Sequence, residues 1–410
     1  MKLYTLLFSL FLSVSVIAQT TSGLAAYYSM DDCTLLDNSD AGSNGTLFGS
    51  TCDSCGVINK GIFFRGEDPA NNNHDYALLL GTVNNNFKTN DFSISFYMKP
   101  KNSMGTKDII SKREDCSANN AFAIRFIPAT NSIDVVLSEN SSKNANLSAP
   151  LDFGRCWQHV LFIREGKNSK LYINGVLKKD KGHPDGPINI DNNAVFSLIN
   201  SPCQATLEVP FIGIIDELYI YKKALNENEI AMLYNNPHKI ITENKTIFLG
   251  ETVDLEATES CNVSYEWTPP NFLSATDVTS VSSTPDSSIL YTLAYTEDQV
   301  CISYDTVRIT VIDPSTLPCD KIYLPKAFTP NNDNINDTYG ISNPFAIEEL
   351  LSFEIYDRWG SRVFFTDNET TKWDGSFQGE PMNPGVLLYR VRFKCNGEER
   401  IDVGSLAIMR

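Results

Sequence analysis

Asp216-Glu217 is the nearest approach in this sequence to a pair of acid–base carboxyls. Retaining glycoside hydrolysis needs two carboxyl groups about 5–5.5 Å apart. On one strand face that favours Glu and Asp at i, i+2 or i, i+4, whereas adjacent residues point to opposite faces. The pair does not meet the requirement. The histidines, His74, His159, His183 and His238, are far apart and share no ligand spacing. His159, between Gln158 and Val160, reads as a structural strand residue. No G-x-S-x-G, H-E-x-x-H, P-loop or G-x-G-x-x-G is present. Cys52-Asp53-Ser54-Cys55 has C-x-x-C spacing, but it lacks a strand-then-helix context, and no second C-x-x-C completes a zinc set. Structural disulfides are the better reading, and no residue is assigned a catalytic role.

Hard oxygen donors are better supplied: Asp31, Asp32, Asp68, Asn71 to Asn73, Asp75 and Asp216. Calcium takes such ligands. Asp68 and Asp75, in the acidic, Asn-rich loop before residues 76–80, are the expected Ca2+ ligands. A second expected set is Asn331, Asp333 and Asp337. That run lacks the central glycine and closing glutamate of an EF-hand, and Asx-turns alone can account for it. Aromatic platforms are the other binding chemistry. Tyr219 and Tyr221 fall on one strand face, with Tyr172 expected nearby, and the three form the candidate glycan-binding set. Core packing is the competing fate of such rings.

These side chains need elements to position them. The chain has 410 residues, 50 acidic against 33 basic, for a net charge of −17. That balance argues against nucleic acid as a partner, because phosphate binding needs clustered Lys and Arg. Residues 1–18 read as a signal peptide: Lys2, an apolar run over 3–17, and Val16-Ile17-Ala18 near the cleavage point. No later stretch has the apolar length of a membrane span. Export would carry the ten cysteines into an oxidising compartment.

From about 23 to 235 the sequence alternates with period two. Phe92, Ile94, Phe96 and Met98 interleave with Ser93, Ser95 and Tyr97, and Phe122-Ile124-Phe126 and Ile133-Val135-Leu137 follow the same rule. Asn174-Gly175 is a hairpin signal. A short helix is expected near the end of this block, with Asn226 as cap, Glu229 three residues later, and Leu225, Ile230, Leu233 and Tyr234 as its apolar stripe. The block resembles the laminin-G-like, concanavalin A-like jelly rolls of extracellular proteins. The resemblance rests on Gly23-Leu24-Ala25-Ala26-Tyr27-Tyr28-Ser29-Met30-Asp31, on Trp157-Gln158-His159-Val160 with Leu171-Tyr172-Ile173-Asn174-Gly175-Val176, and on Gly213-Ile214-Ile215-Asp216-Glu217-Leu218-Tyr219-Ile220-Tyr221.

Residues 237–313 form a small acidic block in which Trp267 lies between Cys261 and Cys301. It resembles the immunoglobulin-like repeats that precede sorting domains in secreted Bacteroidetes proteins, and a spacer role follows from that. The resemblance implies a Cys261–Cys301 disulfide. Cys156–Cys203 and Cys319–Cys395 are the other expected pairs.

Residues 320–410 carry the densest pattern. It includes Pro330, Asn331, Asp333 and Asp337, then Trp359-Gly360, then Trp373-Asp374-Gly375. This block resembles the gliding-motility-associated, type B sorting domain of type IX secretion. Asn332-Asp333-Asn334 stands where that family usually has Gly-Asp-Gly. The resemblance implies the type IX secretion machinery as a partner and a place outside the cell, attached to the outer surface or released.

The fold expected is all-β: an N-terminal jelly-roll sandwich followed by two small β-sandwich domains. The function expected is a secreted or cell-surface binding or adhesion protein whose jelly roll recognises a polysaccharide or surface glycoprotein, with calcium as the one cofactor. A structural surface or matrix protein making protein contacts and a glycoside hydrolase are the alternatives.

Overall fold

The computed structural model describes residues 22–53, 55–68, 73–85, 87–101, 104–204, 207–319, 321–331 and 336–409. The expected signal peptide lies outside them. The described chain is all-β apart from 3-10 turns and the helix Glu227–Leu233. It divides into two compact units. The first takes residues up to Glu243 with Asp254–Ser282 and Tyr291–Val307. The second takes Asn244–Val253, Ser283–Leu290 and the chain from Arg308 onward.

The first unit is built on two packed sheets. One runs in the order Val176–Gly182, Asn168–Ile173, Gln158–Glu165, Phe92–Pro100, Gly213–Tyr221, Gly61–Phe64, Thr51–Asp53, with Leu24–Tyr28 also on Gly213–Tyr221. The other runs Leu147–Pro150, Ser132–Ser138, Ala121–Ile127, Lys107–Lys112, Phe196–Leu198, Tyr76–Leu79, Gly45–Phe48. The alternating residues do what period two demands. Phe92, Ile94, Phe96 and Met98 meet Phe122, Ile124, Ile133, Val135 and Leu137 in one core between the sheets. The Asn174-Gly175 turn has positive φ at both residues, 49° and 75°, as a tight hairpin between twisted strands requires.

Ser93, Ser95 and Tyr97, which alternation places on the outside, are buried as well. Two things cover them. The helix Glu227–Leu233 starts on a capping box, in which Asn226 accepts the Glu229 N–H and Glu229 reaches back to the Asn226 N–H. Its Ile230 and Leu233 pack on Leu161, Ile163, Tyr219 and Tyr221. The second cover is the segment that follows. Lys99 donates to Glu297 at 2.7 Å, with both side chains nearly out of water. Two disulfides, Cys55–Cys261 and Cys156–Cys301, tie the same parts together.

These disulfides correct two expected pairings. Cys261 and Cys301 do not bond to each other, and Cys203 bonds to Cys116 rather than Cys156. Cys261 is exposed beside the strand Val263–Thr268, and Cys301 opens the strand Cys301–Ile312. Both lie at strand ends, not at facing core positions. Trp267 is buried without a disulfide against it, its indole N–H donating to the Val278 carbonyl at 2.9 Å. Cys33–Cys52 and Cys319–Cys395 complete the set.

The second unit holds a five-stranded sheet in the order Ala327–Phe328, Glu398–Ile408, Gly385–Cys395, Glu349–Tyr356, Arg362–Thr366. One face carries Phe353, Ile355, Leu387, Val391, Phe393, Leu406 and Ile408 into a core with Phe328, Tyr339 and Trp373. Gly375, at φ 79°, packs where a Cβ would come within 3.0 Å of Pro330 and 3.2 Å of Phe328. Asp374 next to it accepts from the Ser376 N–H and hydroxyl, and the Trp373 indole donates to the Ser376 carbonyl. Trp359-Gly360 forms the turn between two strands, with Asp357 accepting the Trp359 and Ser361 N–H groups.

Candidate functional site

The centre of the first sheet's outer face is covered, and on the second sheet the strands Gly45–Phe48 and Tyr76–Leu79 keep side chains outside the core. Ala77 and Leu79 turn into the core. That leaves Tyr76 and Phe48 on neighbouring strands, outside. Their rings stack at 4.5 Å with 10° between planes, and Phe48 is 38% exposed. His74 lies 5.4 Å from the Tyr76 ring. Beside this pair Asp75 is buried and grips Arg65. Its Oδ2 accepts from the Arg65 amide at 2.8 Å and from Nε at 2.9 Å, and its Oδ1 accepts from Nη2 at 2.8 Å. The same Nη2 donates to the Gly49 carbonyl. A Cβ at Gly49 would sit 2.5 Å from Asp75 Oδ1, so only glycine leaves room for this clamp. Arg65 is thereby fixed where it lines a shallow cleft with Met104, Lys107, Val209, Pro210 and Ile212.

The middle of this sheet is buried under ion pairs. The Cys116–Cys203 disulfide pins the chain that follows Leu198. From it, Glu208 receives Arg113, the Ser201 hydroxyl and, at 3.4 Å, Arg125. Burial and then the Glu208 charge push the Asp108 carboxyl up to about 8. Arg113, Ser201, Glu208 and Asp108 in this network are all nearly out of water.

The expected site residues fall differently. Tyr219 is 5% and Tyr221 0% exposed, so neither offers a ring to a sugar. They are core because the helix covers their strand, and Tyr172 is half-buried against the same cluster. Tyr27 stacks on Tyr219 at 4.2 Å, and both hydroxyls donate to Glu217, at 3.0 and 2.7 Å. Burial raises Glu217 to about 7 against those hydrogen bonds. Asp216 is raised to about 8 by burial and then by Glu217, although it accepts N–H groups from Val57, Ile58 and Glu217. Val57, Ile58, Tyr27 and Tyr219, which donate to this pair, are groups of the fold itself, and both carboxyls are buried.

Of the expected calcium ligands, Asp75 is committed to Arg65. The Asp68 side chain and Asp333 lie outside the described residues. Asp337 accepts the Asn331 N–H at 2.8 Å. Among the described residues no three His, Cys, Asp or Glu side chains are grouped to hold a metal ion. Phe48, Tyr76 and Arg65 escaped the sequence reading. Each strand shows alternation, but nothing local says that two strands so far apart in sequence are neighbours.

Residues 71–231 match the family model of the concanavalin A-like lectin/glucanases superfamily, and residues 322–408 match the CHU_C type IX secretion signal domain. Similar solved structures include domain 4 of AbnA, an extracellular arabinanase from Geobacillus stearothermophilus, in complex with arabinotriose. It is 23% identical over 52% of this chain and 98% of that one, with a TM-score of 0.40. A botulinum neurotoxin type C structure, described as entering cells through two ganglioside molecules, is 13% identical over 94% of this chain and 93% of that one, TM-score 0.43. The CBM40 of a Ruminococcus gnavus sialidase bound to α2,3 sialyllactose is 17% identical over 47% and 98%, TM-score 0.34. No curated protein matches the chain. No helix among the described residues is long and apolar enough to cross a membrane. The chain thus carries a laminin-G-like, concanavalin A-like domain and, at its C-terminal end, a CHU_C type IX secretion signal domain.

Proposed function

We propose that the protein is a secreted, non-catalytic binding protein whose jelly roll recognises a glycan or glycoprotein outside the cell. The observation that carries this is the stacked Phe48–Tyr76 pair, whose chain neighbours Gly49 and Asp75 clamp Arg65. An exposed ring packs against the apolar face of a sugar, and a guanidinium fixed in place donates to hydroxyls or carboxylates without losing further freedom. Hydrolysis finds no support, because the adjacent carboxyls Asp216 and Glu217 are buried among the fold's own donors.

The test is a broad glycan array probed with the whole chain lacking residues 1–18. A fragment ending near 235 would leave Cys55 and Cys156 without their partners. The reading expects reproducible binding to a defined set of glycans, weakened about tenfold, or ~1.4 kcal/mol, by Phe48→Ala with Tyr76→Ala. Calcium and EDTA should give the same binding, since Asp75 is held by Arg65. Absence of binding in both conditions would remove the glycan reading and leave protein contacts, which a pull-down from the native cell surface would then identify.

A further inference from the structure

Where the strand Phe92–Pro100 ends beside the turn after Ile289–Glu297, one amine meets two carboxylates. Lys99 Nζ lies 2.7 Å from Glu297 Oε1 and 2.5 Å from Asp298 Oδ2. The side chains of Lys99, Glu297 and Asp298 are 10, 3 and 41% exposed. Lys394–Glu349 is as short, at 2.5 Å, but it is one amine to one carboxylate, and its side chains are 41 and 54% exposed.

The surrounding chain holds these groups together. Asp298 and Gln299 have φ of 49° and 59°, and the Val300 N–H donates to the Glu297 carbonyl at 3.0 Å, so a tight turn presents Asp298. Cys301, directly after that turn, is bonded to Cys156. Gln158, two residues after Cys156, pairs with Met98, the neighbour of Lys99. The disulfide therefore ties the two segments together within a few residues of the amine and the acid. Glu297 Oε2 is buried without a hydrogen-bond partner. His238 Nε2 lies 3.7 Å from it, and burial keeps that ring neutral, lowered to about 4. Burial raises the Glu297 carboxyl, against its hydrogen bond from Lys99, which makes it the stronger base. Burial also pushes the Lys99 ammonium down, but the hydrogen bonds to Asp298 and Glu297 outweigh it and hold it above its ordinary value. The amine thus needs a nearby base before it can act as a nucleophile, and Glu297 is in contact with it.

We propose that Lys99 and Asp298 condense to an intramolecular amide, with Glu297 carrying the protons. Lys99 Nζ passes one proton through Glu297 to Asp298, which sets a neutral amine against a neutral acid. The Nζ–Cγ bond forms, and a second amine proton crosses by Glu297 to the departing hydroxyl. The Cγ–O bond breaks, one water is released, and Glu297 returns to its starting state. No oxidant, reductant or cofactor is consumed. Two groups held in contact react as if each were far more concentrated than in free solution. The amide is a third covalent link between the jelly roll and the segment carrying Cys261, Asp298 and Cys301, and unlike the two disulfides it survives a reductant. It is independent of what the jelly roll binds.

The test is the intact mass of the purified chain lacking residues 1–18, taken after reduction and denaturation. The expected mass is lower than the sequence requires by one water, and a protease digest yields a branched peptide that joins Lys99 to Asp298. Asp298→Asn keeps an acyl group in place, so its linked form should lose ammonia instead of water. Lys99→Arg should return the full sequence mass. Glu297→Gln should slow linkage by about a hundredfold. Thermal unfolding checks that each variant is folded, and the wild-type mass decides the matter without them. Wild-type chain at the full sequence mass overturns the proposal. So does a missing water that maps to Asp298 alone, as a cyclic imide, with Lys99 unlinked.

Discussion

Two sheets in this molecule carry apolar side chains on their outer faces, and only one of them is covered. On the jelly-roll sheet, Leu161, Ile163, Tyr219 and Tyr221 point outward, and the capped helix Glu227–Leu233 lies over them. On the sheet of the second unit, Val386, Leu388, Ile401 and Val403 point outward into water. The strand chemistry is nearly the same. What differs is whether the chain supplies its own lid. A covered face belongs to the stability of the fold, and an open one is free for recognition.

The comparison is broken most directly at Tyr221. It is wholly buried on the covered face, so Tyr221→Ala should cost about 4 kcal/mol, as large aromatic truncations in cores do. Urea unfolding of the full chain measures this. A loss below ~1 kcal/mol would mean that the helix does not seal that face.

The disulfides come next. Cys156–Cys301 closes a loop of 145 residues in sequence separation, and Cys55–Cys261 one of 206. Cys156→Ser with Cys301→Ser should lower the stability of the first unit by about 3 kcal/mol, chiefly by freeing the unfolded chain. The second unit should unfold unchanged, and a domain-resolved probe such as hydrogen exchange would show it.

What the sequence made legible was local. The alternation of Phe92 to Met98, the Asn174-Gly175 turn and the Asn226–Glu229 cap are each decided within a few residues, and each is present. The two family resemblances were legible for a related reason: their anchors are fixed turns and aromatic core positions, as at Trp373-Asp374-Gly375. Cysteine pairing was not legible, because it depends on which strand ends meet in space. Nor was the fate of Tyr219 and Tyr221. Their shared face was readable from period two, but not that the expected helix would lie on it. Asp75 was read as a calcium ligand because the sequence shows an acid in an Asn-rich loop and hides its partner ten residues earlier.

A smaller effect separates the two regions by pH. The first unit buries Asp108 and Asp216, both raised to about 8, and Glu217, raised to about 7. In the second unit Glu354 is lowered. An acid whose folded pKa is raised keeps its proton in the fold after the unfolded chain has released it. From about pH 4 up to those folded values the folded state binds more protons, so stability falls as pH rises, and it levels off above about 8. Glu354 has the opposite sign: its contribution is present above the ordinary carboxylate range and is lost on acidification. The buried His159 and His238, lowered to about 3 and about 4 by desolvation, act in the opposite sense up to about pH 6.5. Between about pH 6.5 and 8 the first unit should therefore lose stability while the second holds. Asp216→Asn keeps an acceptor oxygen for Val57 and Ile58 and should remove on the order of 1 kcal/mol of that loss. An unchanged pH slope in this variant would show that Asp216 is ionised in the fold.

The smallest stability effect belongs to the open face, and its smallness is the point. Leu388 lies on a strand paired on both sides, as Tyr221 does, but its side chain meets solvent. Truncating it removes little that folding had buried, so Leu388→Ala should change the unfolding free energy by less than ~0.5 kcal/mol. Measured beside Tyr221→Ala under the same denaturant, the pair separates an apolar residue kept for packing from one kept for a partner. A loss of about 2 kcal/mol or more at Leu388 would mean that this side chain is buried in solution after all, and the difference between the two sheets would disappear.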